Sequence, residues 1–421
     1  MDAAAIRDER PDCDVTVVEP PGGTPVDPRE AAEAAVADPH GPCLRDRVDP
    51  DDDVAIVVTD VTRATPDDVL LDVLLDELRD GGVGREQVSV VLGLGLHRPM
   101  TDAETADALG DHADLAENHD ADESVTVGTV DDCPVELNPT VADADAVVST
   151  GMVEPHQYAG FSGGAKTVVI GAGGEPIIHH THGPEMLAHD GVRLGRVDGN
   201  PFRETVDRAG DVVGLDFCCN VTHGPNGILD ASAGDHRVVV RDLAATALEA
   251  LSVPVTEEYD AVVAGVPHPK DANLYQATRA ATYVGLGDRN PLREARRAPN
   301  ATGERSDPGA GGRIVLPAAL PEGAGEGTGE RRFYRRLADA TDAESRYEEM
   351  RAGYEPGAQR AFVVARVLRD HDVVVAGSES PDVVEDCLMT ATDSVGDAVD
   401  PGSDVLVVPD ALNTLLVAGK E

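Results

Sequence analysis

The stretch "VAIVVTDVTRATPDDVLLDVLLDEL" occupies residues 54–78. Its first five residues are an unbroken apolar run, closed by Thr59 and Asp60. Such a run suits a strand buried on both faces. Its last eleven, "DVLLDVLLDEL", repeat apolar residues at helical spacing behind Pro66 and Asp67, a helix start. Strand, polar loop and helix together are half of a βαβ unit. The same order recurs at "QVSVVLGLGL" (87–96), which runs into "HRPMTDAE", and at "ADAVVSTGMV" (144–153). Alternation of this kind predicts an α/β fold.

The pattern continues along the chain. "GNPFRETVDRAG" (199–210) reads as a capped helix, and "LDFCCNVT" (215–222) with "GILDASAGD" as a strand pair. "VVVRDLAATALEAL" reads as a helix and "YDAVVAGV" (259–266) as the first strand of a second unit. "GRIVLPA", "AFVVARVL", "DVVVAG" and "DVLVVPD" are the expected strands of its sheet. Residues 287–311, rich in Gly, Pro and charge, read as a mobile surface loop. The expected organisation is two α/β domains with a cleft between them, divided as 1–255 and 256–421.

Composition narrows the function. The 421 residues carry 79 Asp and Glu against 34 Lys and Arg, a formal charge of −45. Such an excess repels nucleic acid and anionic lipid, which excludes both as partners. The acid is spread along the chain, and only three of the basic residues are lysines. That reads as the surface of a halophile's protein, where salt screens self-repulsion. The six cysteines form no C-x-x-C, so no zinc or disulfide framework is indicated. No apolar leader and no run of 18 apolar residues occur, so the expected location is cytoplasmic, away from any membrane.

In open α/β sheets, ligands gather at the carboxyl ends of strands. That rule would set Asp60, Arg63, His97 and His156 around one cleft. The bland alternatives are that Asp60 and Thr62 cap the following helix, with Arg63 on the surface, and that His97 is an ordinary loop residue. Residues 156–170, "HQYAGFSGGAKTVVI", hold one of the three lysines, Lys166, behind Gly160, Gly163 and Gly164. The segment is one residue from a P-loop, with Ala165 where Gly is needed, and no Walker-B strand stands out. Glycines there let backbone N–H groups approach an anion. The spacing of His179, His180 and His182 is not a zinc motif, so metal binding stays open on spacing alone.

Taken in order, seven segments resemble the nickel-dependent lactate racemases and their 2-hydroxyacid racemase relatives. They are "DVTRATP" (60–66), "GLHRPMT" (95–101), "HQYAGFSGGAK" (156–166), the interval from Lys166 to His182, "GNPFRE" (199–204), "DFCCNV" (216–221) and "PKDANLYQATRA" (269–280). The resemblance implies racemisation or epimerisation of a 2-hydroxy acid. It implies a nickel-pincer nucleotide, a pyridinium bis-thiocarboxylic acid mononucleotide with nickel, linked covalently to Lys166. It maps the remaining nickel ligand to His182 and the two catalytic histidines to His97 and His156. Asp60, Gly163 and Gly164 are then expected on the cofactor, and Arg63, Tyr275, Gln276 and Arg279 on the substrate.

The implied chemistry is coherent. The C2 hydrogen of a hydroxy acid leaves more readily as hydride than as a proton, and a histidine on each side handles the hydroxyl proton. Expected partners are the small acid and the enzymes that make the cofactor, and a homodimer is compatible. The chain departs from the family in carrying Arg279 where lactate racemases have lysine, in having no Trp, and in Ala165. The alternative function is a non-catalytic protein on the same scaffold that binds nickel or a mononucleotide.

Overall fold

The structure, a computed structural model, describes residues 7–293, 312–355 and 357–419. Residues 294–311 of the expected surface loop therefore lie outside the described residues. The chain forms two compact α/β units. The first holds residues 22–182 and 189–250, and the second holds residues 7–21, 183–188 and the described part of 251–419.

The first unit is built on a six-stranded sheet. Its order across the sheet is Gly227–Gly234, Leu215–Gly224, Ala146–Met152, Val54–Thr59, Val88–Gly93 and Ala116–Asn118. All neighbours are parallel except the hairpin 215–224/227–234. The two faces of the 54–59 strand are both covered. Ile56 and Val58 pack with Leu70, Leu71 and Leu74 of the Asp67–Asp80 helix, while Ala55 and Val57 pack with Leu137, Val141 and Val168. Double burial explains why the strand reads as an apolar run instead of alternating.

Chain order and sheet order part company at the centre. From 54–59 the chain moves outward to 88–93 and 116–118, then returns to lay 146–152 on the other side. The join of 54–59 with 146–152, in register from Val54↔Ala146 to Val57↔Ser149, is thus a topological switch point. Asp67 spans it. Its carboxylate accepts from Thr59 Oγ1 at 2.9 Å and from Thr150 Oγ1 at 2.5 Å, linking the ends of both strands through the helix. Burial pushes its pKa up to about 7, against the two hydroxyls, which favour the charged form.

The second unit has its own six-stranded sheet, wholly parallel. The order is Asp14–Val17, Asp404–Val408, Ala261–Ala264, Arg313–Pro317, Asp372–Ala376 and Thr390–Thr392. Val15, Val263, Val315, Val374, Val405 and Val407 make one face of its core.

Two expectations need correction. The first unit loses its leading residues to the second, because 14–17 pairs in parallel with 404–408. Residues 183–188 also join the second unit, where Pro184–Leu187 packs on the helices Ala343–Arg351 and Gln359–Asp370. The segment "AFVVARVL" is not a strand but most of the Gln359–Asp370 helix. Ala361, Phe362, Val363, Val364, Ala365 and Val367 are all buried, and Arg366 and Leu368 alone of the run are half-exposed, so its apolar face is very broad. A buried helix and a buried strand then look alike by periodicity. Length separates them, since the helix runs for 12 residues, more than the apolar run alone suggests.

Phe362 is fully buried and stacks on Tyr347 with ring centroids 5.0 Å apart. Phe362→Ala is expected to lower stability by about 3–5 kcal/mol through cavity formation, read as a shift in the denaturant midpoint at fixed salt.

Candidate active site

The loop after the 54–59 strand carries Asp60, Thr62 and Arg63. Asp60 is buried, and one of its oxygens accepts from Thr62 N at 3.0 Å and Thr62 Oγ1 at 2.5 Å. It does not cap the following helix, whose N-cap is Pro66. Its other oxygen lies 2.6 Å from Nδ1 of His97. Burial pushes the Asp60 carboxyl up, but the bonds from His97 and Thr62 and the Arg63 charge outweigh it and hold it low. A carboxylate at Nδ1 fixes the proton there and leaves the lone pair on Nε2. His97 itself is open to solvent, its side chain 63% exposed. It is therefore a histidine aimed by a buried acid, with an accessible basic nitrogen.

The loop after 146–152 holds Glu154 and His156, and a two-residue ribbon pairs Pro155–His156 with Gly160–Phe161. Nδ1 of His156 accepts from the backbone N–H of Tyr158 at 3.2 Å and of Ala159 at 3.1 Å. Backbone amides only donate, so the lone pair of the neutral ring is on Nδ1 and the hydrogen on Nε2. His97 and His156 thus sit in opposite tautomers.

His182 follows the Glu175–Thr181 helix. Its Nδ1 is 3.1 Å from Ile178 O, which can only accept, so Nδ1 carries the hydrogen and Nε2 the lone pair. Burial, then the Lys166 charge, push its pKa down to about 3, against the Ile178 carbonyl, so the ring stays neutral at ordinary pH. A half-buried, neutral imidazole oriented through its other nitrogen is a competent metal ligand. His182 and His156 share two ring neighbours: Tyr158, at 5.6 and 5.5 Å, and Phe202, at 5.0 and 6.2 Å.

Lys166 stands at the start of a short π-helical turn, Thr167–Gly171. Among the described residues it enters no ion pair and no hydrogen bond. Some of its surface reaches solvent, yet desolvation, with the fields of Arg63 and Arg203, pushes its pKa down to about 7 against Asp60. A neutral amine is a nucleophile. The glycines before it serve the fold. Gly163 and Gly164 have φ of +77° and +58°, and a Cβ on Gly163 would lie 2.6 Å from Val153 Cγ2. The Gly164 N–H donates to Asn220 Oδ1 at 2.6 Å. Buried Arg203 clasps the carbonyls of Phe161 and Gly163 at 2.6 and 3.3 Å. The expected anion cradle is corrected accordingly at Gly164, whose N–H is already engaged.

Two participants escaped the sequence reading. Arg63 forms an ion pair with Glu154, and Glu154 lies 3.3 Å from His223 Nε2. Glu154 follows a buried strand, the signal that picked out His97, and was hidden beside His156, while His223 lies near the end of the 215–224 strand, in its pairing with 227–234. In the second unit, Tyr275, Gln276 and Arg279 share one turn of the Leu274–Leu286 helix, capped by Asn273. Among the described residues no cluster of three or more His, Cys, Asp or Glu is arranged to hold a metal ion.

The fold and these residues define a class: an α/β protein with two oriented histidines, a lysine of lowered pKa and a half-buried neutral imidazole in one unit. Residues 8–195 match the lactate racemase N-terminal domain family. The chain is 26% identical over 392 residues to a lactate racemase of Thermoanaerobacterium thermosaccharolyticum, covering 89% of this chain and 86% of that one. It is 27% identical over 387 residues to the lactate racemase of Lactiplantibacillus plantarum, covering 86% and 84%. The fold matches the lactate racemase apoprotein structure from T. thermosaccharolyticum with a TM-score of 0.80 at 23% identity, over 97% of this chain and 95% of that one. A Thermotoga maritima protein matches at 0.62 and 16% identity, over 94% and 98%. Similarity to lactate racemases thus extends over most of the chain.

In the apoprotein, acylation of Lys166 by an amine-directed reagent, followed by peptide mass spectrometry, is expected to titrate with a midpoint near pH 7. The unfolded chain holds more protons than the folded one between that value and lysine's ordinary 10.5, so stability rises with pH across this window. Lys166→Met should remove the rise, measured as the denaturant midpoint against pH.

Proposed function

We infer that this chain is a racemase acting on a small 2-hydroxy acid. The observation that carries the reading is the pair of histidines in complementary states, His97 with a free lone pair on Nε2 and His156 with a hydrogen there. A protein that merely binds a ligand has no use for an acid–base pair, one member of which a buried aspartate aims.

The residues fit the nickel-pincer nucleotide that the family resemblance implies. His182 offers one neutral nitrogen, and no protein cluster supplies further ligands among the described residues, so the other donors must belong to the bound group. Lys166 offers an amine whose pKa is lowered to about 7 and which has no partner among the described residues, suited to a covalent amide-type link that arginine cannot form. The proximity that lets the Lys166 charge depress His182 supports one group engaging both. When bound, the group supplies an acceptor for the C2 hydrogen as hydride.

The protein's own part is proton handling and orientation. His97 Nε2 takes the hydroxyl proton as the carbonyl forms, and Asp60 stabilises the resulting imidazolium. His156 Nε2–H donates to the carbonyl oxygen when hydrogen returns on the opposite face. Arg63, steadied by Glu154, polarises the oxygen or holds the carboxylate. Tyr275, Gln276 and Arg279 are assigned to the substrate on the resemblance. The acidic, lysine-poor surface supports work in a salt-rich cytoplasm, and the cofactor must come from separate enzymes that make it.

Protein produced with the cofactor-making enzymes should carry a mass adduct on Lys166 and interconvert the enantiomers of a 2-hydroxy acid at high salt. His97→Ala and His156→Ala should each lower kcat by about 10²–10⁴, measured by chiral chromatography. Racemisation that survives the double variant sinks the acid–base assignment.

A further inference from the structure

The backbone of Glu154 is pinned from two sides, both within the first unit. Its N–H donates to Ser162 Oγ at 3.0 Å, and the Ser162 N–H donates to Glu154 O at 2.9 Å. From the 215–224 strand, Thr222 Oγ1 donates to Val153 O at 2.7 Å, and the Val153 N–H donates to Val221 O at 2.8 Å. The next residue of that strand is His223, and the pairing with 227–234 slips between Thr222 and His223. An irregularity of this kind bends a strand locally and re-aims a side chain. Three consecutive residues, Val221, Thr222 and His223, thus reach Val153 and Glu154.

With its backbone fixed, Glu154 keeps freedom only in its side chain, and two residues divide the carboxylate. Oε1 forms the ion pair with Arg63, and Oε2 lies 3.3 Å from Nε2 of His223. All three side chains are only 20–21% exposed, so water competes weakly for these contacts. A carboxylate facing an arginine tends to close on it through both oxygens. His223 competes for the second oxygen and so fixes the plane of the carboxylate, and with it the direction from which Arg63 is held. The other ring nitrogen, Nδ1, lies 3.3 Å from Gly224 O. Both neighbours of the ring are acceptors, so it serves both at once only with a hydrogen on each nitrogen.

We propose that His223 is a positioning residue for the racemisation, acting through Glu154 to set where the Arg63 guanidinium stands. The proposal rests on the reading of Arg63 as the group that meets the substrate's oxygens. Asp60 aims a base directly; Glu154, itself aimed by His223, aims the cation.

In the apoprotein, the Nε–H resonance of Arg63, identified by its absence in Arg63→Lys, reports the guanidinium's surroundings without any reaction. It should shift in His223→Leu, which removes both ring donors. It should return toward its original position in His223→Gln, whose amide N–H can reach Glu154. In a Glu154→Ala background, His223→Leu should move it no further, because the two residues act in series. With cofactor-loaded enzyme, His223→Leu should lower kcat/KM for a 2-hydroxy acid about 10–100-fold per bound nickel, the cost of a misplaced group, and His223→Gln should restore most of it. An Arg63 resonance unmoved by His223→Leu overturns the proposal. So does an equal shift with and without the Glu154 carboxylate, or a loss of activity that His223→Gln leaves unrepaired. Enzyme that racemises no 2-hydroxy acid removes the racemase reading, while the Arg63 resonance still decides whether His223 acts through Glu154. Racemisation with an unmoved resonance keeps that reading and removes His223 from it.

Discussion

The carboxyl of Asp67, bound to Thr59 from one side and Thr150 from the other, fastens the two central strands where their chain directions diverge. The site follows from that join. Residues leaving the 54–59 strand and the 146–152 strand turn to opposite sides, and the gap opened by their divergence is where Asp60, Arg63, Glu154 and His156 emerge. The neighbouring 88–93 strand delivers His97 to Asp60. The pairs Asp60–His97 and Arg63–Glu154 join loops from different strands, so their geometry depends on the sheet register and not on any one loop.

Electrostatics divides the labour. Asp60 remains charged despite burial because its partners all favour the anion. Lys166 and His182 are pushed toward neutrality by burial and by the cations around them. A carboxylate that stays charged aims a base, while an amine and an imidazole that lose their charge become donors of electron pairs. The same cations would also attract an anionic ligand, so one field serves both ends.

Much of this was legible in the sequence, for identifiable reasons. Doubly buried strands give unbroken apolar runs, so the 54–59 and 146–152 strands and the polar residues at their ends could be found directly. The 361–368 run misled because a helix buried over most of its circumference carries hardly any stripe. Asp14–Val17 passed unnoticed because four residues with one buried valine give hardly any pattern. Glu154 was masked by the histidine beside it. The glycines before Lys166 pointed to an anion, whereas positive φ and close packing against Val153 and Asn220 are what demand them. Sequence reports which residue types are present; which of them lack partners is a property of the packed structure alone.

The pairing of Asp14–Val17 with Asp404–Val408 also bears on synthesis. A ribosome makes the 14–17 strand about 390 residues before its neighbour in the sheet among the described residues, since Asp14 pairs with Asp404. The first unit can finish its sheet while the chain is still growing, but the second must wait with Val15 uncovered until its partner appears. Loop-closure entropy grows slowly with length, so the equilibrium barely registers the wait. Its weight falls on kinetics: a nascent chain holds an unpaired strand that can join the wrong edge until the 404–408 strand has been made.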